Sequence, residues 1–167
     1  MADDADRSLH VTWADPGPPL ELSRGMSGLD YLRAMRDGDV PPPPVARLLG
    51  MSIDRVDPGE VEFGLTPHES HYNPLGVVHG GVLSTLLDTV LGCAVHTTLA
   101  AGWGYTSIDL NVSYLRPVRV ETGPLRFVGR VVKPGRRVAF SSAEGLDASG
   151  TPVVSATSSL LVMAPAC

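Results

Sequence analysis

The feature that most restricts the fold is one long apolar helix, read over about residues 81–99. Val82, Leu83, Leu86, Leu87, Val90, Leu91, Cys93, Ala94, Val95 and Leu99 cover most of its circumference. A helix that is apolar nearly all round has to be wrapped by other elements. The flanking sequence supplies strands for this. Residues 52–56 and 60–65 flank the turn Asp57-Pro58-Gly59, and residues 125–132 and 138–144 flank Lys133-Pro134-Gly135-Arg136. Between 105 and 114, Ser107, Asp109, Asn111 and Ser113 alternate with Ile108, Leu110, Val112 and Tyr114, the period of one half-buried strand. Residues 152–163 read as a final strand. Antiparallel strands around a single long helix make an α+β fold.

The chain has 167 residues, 43% of them hydrophobic, which fits one domain with a core and a short appendage. The appendage is residues 1–44, which hold seven of the 15 prolines. Four of these form Pro41-Pro42-Pro43-Pro44, an expected polyproline II strut. Before it, Leu29, Leu32 and Met35 recur at helical spacing after a capping Ser27, so 27–37 is expected to be a short amphipathic helix docked on the body. Leu48, Leu49 and Met51 suggest one more turn of helix at the entry to a domain over 45–163, with 164–167 a tail. The acidic start, Met1 to Asp6, lacks the basic and apolar regions of a secretory signal, and no apolar run reaches the roughly 18–20 residues that span a bilayer. Cys93 and Cys167 are isolated, which argues against a disulfide framework or a cysteine zinc site. The expectation is a cytoplasmic protein with no membrane partner and reduced thiols. Scarce aromatics (5%) and an acidic pI near 5.4 speak against a nucleic-acid partner.

Charge is unevenly placed. Residues 61–104 carry three acids and no base, while all seven bases of 105–167 lie between Arg116 and Arg137. That stretch is either a solvated strand face or a patch for a small polyanion. One acid of the base-free segment is Asp88, in the middle of the apolar helix. It lies in a polar stripe of Ser84, Asp88, Gly92 and His96 at i, i+4 spacing. Aspartate is a poor interior helix former and an unpaired buried carboxylate is costly. A functional carboxylate explains the position better than a purely structural one. Ahead of the helix runs Asn73-Pro74-Leu75-Gly76-Val77-Val78-His79-Gly80-Gly81. Glycines at a helix start let a ligand approach the backbone, and the amides with the helix dipole favour negative charge on a nearby oxygen. An oxyanion hole needs that arrangement. His79 and Asp88 are nine residues apart, roughly 13 Å along a helix. They cannot reach one carbonyl within one chain. Two such helices packed antiparallel across a two-fold axis would set each His79-Gly80 beside the partner's Asp88 and create two shared sites.

Two rival constellations are weaker. Ser84, His79 and Asp88 lack a GxSxG elbow and are too separated along the helix for an intrachain triad. His68, His71 and His79 have irregular spacing and offer a metal no common face, so no metal site is expected. His68 and His71 read as surface loop residues, His96 as a satisfied helix residue and Cys93 as a small core hydrophobe. Cys167 reads as an exposed, inert tail thiol.

Taken together, Asn73-x-x-Gly76-x-x-His79-Gly80-Gly81, then Asp88, then Ser107-Ile108-Asp109-Leu110-Asn111 resembles the PaaI-like hotdog-fold acyl-CoA thioesterases over about residues 45–163. The resemblance implies a curved antiparallel sheet around one long helix, and dimers or dimers of dimers with sites at the subunit interface. It implies Asp88 as general base or nucleophile on the thioester, and the Gly80 amide, with Gly81 beside it, as oxyanion donor. Asn73 and His79 would orient the loop and the thioester, and Ser107 the water or the carboxylate. Strict alternation turns Ser107 away from Ile108 and Leu110, so either that face meets a partner or the strand bulges. The resemblance implies no cofactor beyond the coenzyme A of the substrate. The bases available to its phosphates are Arg116, Arg119, Lys133, Arg136 and Arg137, with the Lys133–Arg137 turn favoured. The N-terminal extension would cap the domain or narrow the acyl pocket. Hotdog hydratases use a different local pattern. A non-catalytic acyl-CoA-binding or regulatory domain is the alternative, which Asp88 speaks against.

Overall fold

A computed structural model describes residues 7–165, so the acidic start at 1–6 and Cys167 lie outside the described residues. Three helices come first: α1 (Gly17–Gly25), α2 (Gly28–Asp37) and α3 (Pro44–Leu49). A hairpin of β1 (Met51–Asp57) and β2 (Glu60–Leu65) leads to a 3-10 turn at Glu69–His71 and then to α4 (Gly80–His96). The chain continues through β3 (Gly104–Ser107), β4 (Asn111–Tyr114), β5 (Leu125–Lys133), β6 (Val138–Leu146) and β7 (Pro152–Met163). One seven-stranded antiparallel sheet results, in the order β1-β2-β5-β6-β7-β3, with β4 also on β7. The α+β expectation holds.

Alternation decides which face of the sheet is buried. Val61, Phe63 and Leu65 of β2 and Ala156, Ser158, Leu160 and Val162 of β7 point inward against α4. The nine residues Leu83, Leu86, Leu87, Val90, Leu91, Gly92, Cys93, Ala94 and Val95 of α4 are buried. Gly129 lets the helix lie directly on β5, because a side chain there would drive into the Val90 carbonyl. Among the described residues, no helix is long and apolar enough to cross a membrane.

Several expected boundaries move. α4 stops at His96 rather than 99, because the Thr97 hydroxyl turns back to the Ala94 carbonyl at 2.6 Å and also accepts the Gly59 N–H at 2.7 Å. Met51 begins β1 instead of ending a helix, and α3 starts at Pro44, whose missing N–H costs nothing in a first turn. The expected helix at 27–37 forms as α2, with the Ser27 hydroxyl accepting the Asp30 N–H at 3.2 Å. α1 was not anticipated; two prolines open it and no side chain caps it.

The largest correction concerns residues 105–114, which are not one strand. Ser107 pairs with Leu160, but Asn111 pairs with Thr157. Between these pairs the three residues 108–110 oppose the two residues 158 and 159, which is a one-residue bulge. Asp109 holds it: its carboxylate accepts the Ser159 N–H at 3.1 Å and its carbonyl accepts the Ser158 hydroxyl at 2.7 Å. A one-residue slip exchanges the faces of a strand. Before the bulge, odd-numbered Tyr105 and Ser107 face α4; after it, even-numbered Leu110, Val112 and Tyr114 do. The bulge turns Ser107 toward Asp88.

Candidate active site

The loop before α4 is clamped on both sides. The Val78 N–H donates to the Val118 carbonyl at 2.8 Å, and the His79 N–H to the His71 carbonyl at 2.7 Å. The Tyr72 hydroxyl accepts the Val120 N–H at 2.8 Å. Within the loop, the Asn73 side-chain oxygen accepts the N–H groups of Leu75 and Val77 at 2.9 and 3.4 Å, and Gly76 takes φ +73°, a conformation that favours glycine. Asn73 therefore shapes the loop that delivers the helix start. His79 caps α4: its Nδ1 accepts the Gly81 N–H at 2.8 Å, which fixes the neutral ring as the tautomer with hydrogen on Nε2. The adjacent Gly80 amide, first in the helix, has no acceptor among the described residues. It is thus an open donor at the positive end of the dipole.

Tyr114, which sequence reasoning did not single out, and Ser84 of the polar stripe hold this start in place. Tyr114 lies against Gly80, where an added Cβ would meet its ring at 2.9 Å, and its hydroxyl donates to the Gly80 carbonyl at 3.1 Å. Since that proton is committed, the Ser84 hydroxyl donates to the Tyr114 oxygen at 2.6 Å. The only sequence signal for Tyr114 was its place in an apolar alternation, and the bulge redirects it.

One turn further on from Ser84, the half-buried Asp88 receives the Ser107 hydroxyl on Oδ1 at 2.7 Å. Among the described residues no Lys or Arg forms an ion pair with it. Asp88 stands on the wall of a cavity of about 800 Å³. Nearby, burial pushes the Cys93 thiol up to about 12, which leaves it un-ionised and unsuited to attack. Burial also raises Tyr105 and lowers His96, so both ring groups stay neutral. Gly92 makes room for the Tyr105 ring, into which any Cβ would project.

The rival constellations dissolve in this geometry. Ser84 is spent on Tyr114 and His79 Nδ1 on a backbone amide, so neither can serve a triad. His71 is buried, contrary to the surface position expected of it, because the 3-10 turn folds its ring under the loop, where Nδ1 accepts the His68 N–H at 3.2 Å. No group of three or more metal-ligating side chains occurs among the described residues.

The five basic residues separate into two groups. Arg116, whose guanidinium bonds the Pro152 carbonyl, and Arg119 lie with Val118 near the start of α4. Exposed Lys133, Arg136 and Arg137 lie at the β5–β6 turn, which abuts residues 95–100 at the other end. They do not converge within one chain.

Comparison with known proteins agrees with the geometry. The model of the thioesterase superfamily matches residues 75–154. A protein of Halobacterium salinarum named as a proposed esterase is 37% identical over 116 residues, covering 63% of this chain and 75% of its own length. Acyl-coenzyme A thioesterase 13 of Homo sapiens is 30% identical over 99 residues, 59% of this chain and 69% of that protein. Among solved structures, a proposed thioesterase related to phenylacetic acid degradation from Ralstonia eutropha superposes with a TM-score of 0.72 at 34% identity. The match covers 78% of this chain and 98% of that one. The antiparallel sheet around α4 is the hotdog fold.

Proposed function

Because the chain belongs to the thioesterase superfamily, we propose that it hydrolyses an acyl-coenzyme A thioester to the free acid and coenzyme A, with Asp88 as base and the Gly80 amide as oxyanion donor. The observation that carries this reading is the Ser107–Asp88 hydrogen bond beside a cavity of about 800 Å³. Ser107 holds Oδ1, which leaves Oδ2 to accept a water. That water attacks the thioester carbonyl carbon as its proton passes to Asp88. The carbonyl oxygen becomes an oxyanion at the Gly80 N–H. Collapse of the tetrahedral adduct breaks the carbon–sulfur bond, and the proton on Asp88 goes to the departing coenzyme A thiolate.

Gly80 and Asp88 are eight residues apart on one helix, about 12 Å, so the donor and the base that share a substrate come from two subunits. A homodimer or a dimer of dimers, with α4 helices antiparallel, supplies both. Ile108, Tyr114 and Leu115, each more than half exposed in the single chain, offer apolar surface beside the site for that contact. In the same pairing the His96 end of one α4 runs past the Gly80 start of the partner helix. It thereby carries the Lys133–Arg137 turn toward the partner's Arg119, which would reunite the two basic groups on the phosphates of one coenzyme A. Coenzyme A enters only as part of the substrate, and the free thiol of Cys93 fits a reducing compartment, the cytoplasm.

Free-thiol release from acetyl-, phenylacetyl- and decanoyl-CoA tests the reading. Turnover of at least one substrate is expected. Binding of coenzyme A thioesters without release would instead mark a non-catalytic acyl-CoA-binding domain. Ser107→Ala should lower kcat about tenfold with KM little changed, the loss appropriate to one hydrogen bond on a charged group. An unchanged kcat would remove Ser107 from the positioning of Asp88.

A further inference from the structure

The cavity that holds Asp88 is lined by residues outside as well as inside the segment that the family model matches. α4 contributes Asp88, Cys93 and His96, and β1 contributes Met51, but the opposite wall is Tyr31 and Met35 of α2. Residues 28–37 precede the segment matched by the family model, which begins at residue 75.

α2 is a fixed wall, not a loose cover. Its Gly28 N–H donates to the Leu99 carbonyl at 3.1 Å, and a side chain at Gly28 would drive into the His96 carbonyl. Arg33 Nε donates to the Val56 carbonyl at 3.3 Å, tying α2 to β1. The ring centroids of Tyr31 and His96 are 6.0 Å apart, and both side chains line the cavity where α2 meets the end of α4. Asp88 and His96 are two turns apart, so the space runs about 12 Å along the helix away from the carboxylate. With about 800 Å³ it falls in the size range that encloses a whole small molecule, about 300–1,000 Å³. An acetyl group would leave most of it empty.

We propose that α2 is the acyl-selecting wall, that Tyr31 and Met35 set the size of the acyl group, and that the substrates are thioesters of extended apolar acyl groups rather than of acetate. This rests on the thioesterase reading above. The cavity occupant is the acyl chain itself, laid along α4 from Asp88 toward His96 and packed on the other side by Met35, an adaptable side chain suited to a flexible alkyl group. Each added methylene that fits such a pocket raises kcat/KM by about tenfold or more.

Initial rates of thiol release from acetyl-, octanoyl- and dodecanoyl-CoA, for the full chain and for Met35→Trp and Tyr31→Ala, test the inference. The wild type should favour octanoyl- over acetyl-CoA by about a hundredfold or more in kcat/KM. Met35→Trp, which fills the cavity, should cut octanoyl kcat/KM at least about tenfold and lower the octanoyl-to-acetyl ratio of kcat/KM with it. Tyr31→Ala, which opens space beside His96, should move the optimum toward dodecanoyl-CoA. The opposite-signed changes in the two variants distinguish a size gauge from a general loss of folding. Release with the same chain-length profile in all three proteins, or a wild-type preference for acetyl-CoA, would overturn the inference and leave the thioesterase reading standing. No release from any substrate by the wild type would overturn both.

Discussion

Asp88→Asn should abolish most turnover: kcat is expected to fall about 10²- to 10⁴-fold, the range of a lost general base, while KM and thermal stability stay close to wild type. The substitution is nearly isosteric, and its carboxamide oxygen can still accept the Ser107 hydroxyl that now sits 2.7 Å from Oδ1. Only the capacity to take a proton from water disappears. No ion pair is broken either, since none involves Asp88 among the described residues. Thiol-release kinetics beside a circular-dichroism melt separate the two effects. A folded variant with kcat within about threefold of wild type would falsify the base assignment.

The second large effect is on stability. Gly129→Ala should destabilise the fold by about 3 kcal/mol, the upper part of the range for overpacking a close-packed core. The new Cβ would meet the backbone carbonyl of Val90 and, at 3.0 Å, the Val90 Cβ. A flexible side chain could step aside, but a helix backbone cannot move without lifting α4 from β5. For a chain of this size the thermal midpoint should drop by roughly 6–12 °C, read by calorimetry or a dye-binding melt. Because α4 also carries Asp88 while Ser107 stays on the sheet, activity should fall with stability. A midpoint within about 2 °C of wild type would mean that α4 and β5 are less tightly seated than the contact implies.

What could be read from the sequence depended on how local its cause was. α4 was legible because its apolar residues surround the helix, and the two hairpins because Asp57-Pro58-Gly59 and Lys133-Pro134-Gly135-Arg136 name their own turns. Asp88 stood out as a carboxylate in an apolar helix without a base in reach. The bulge at 108–110 was not legible, because the alternation from Tyr105 to Tyr114 has no break; the extra residue exists only relative to β7, some fifty positions away. The Ser107–Asp88 contact and the role of Tyr114 were hidden for the same reason. α1 escaped notice because Gly17-Pro18-Pro19 reads as a breaker, although proline is tolerated in a first turn. The cavity was beyond any local pattern, since Tyr31, Met51, Asp88 and Tyr105 come from four separate elements.

The place of β7 has a consequence for how the protein is born. Of the seven described strands it is the last to leave the ribosome, yet it lies between β6 and the β3–β4 pair. Until Pro152–Met163 has been synthesised, Gly104–Tyr114 has no neighbour to pair with, Asp109 has no Ser158 or Ser159 to anchor it, and Ser107 has no fixed position over Asp88. The chain up to β6 can collapse around α4 during translation, but the pairing that completes the reactive corner spans about fifty residues and has to wait. A nascent chain therefore stays inert while its core is already forming, and a stop codon anywhere before residue 152 leaves a product with a helix, a partial sheet and no assembled site.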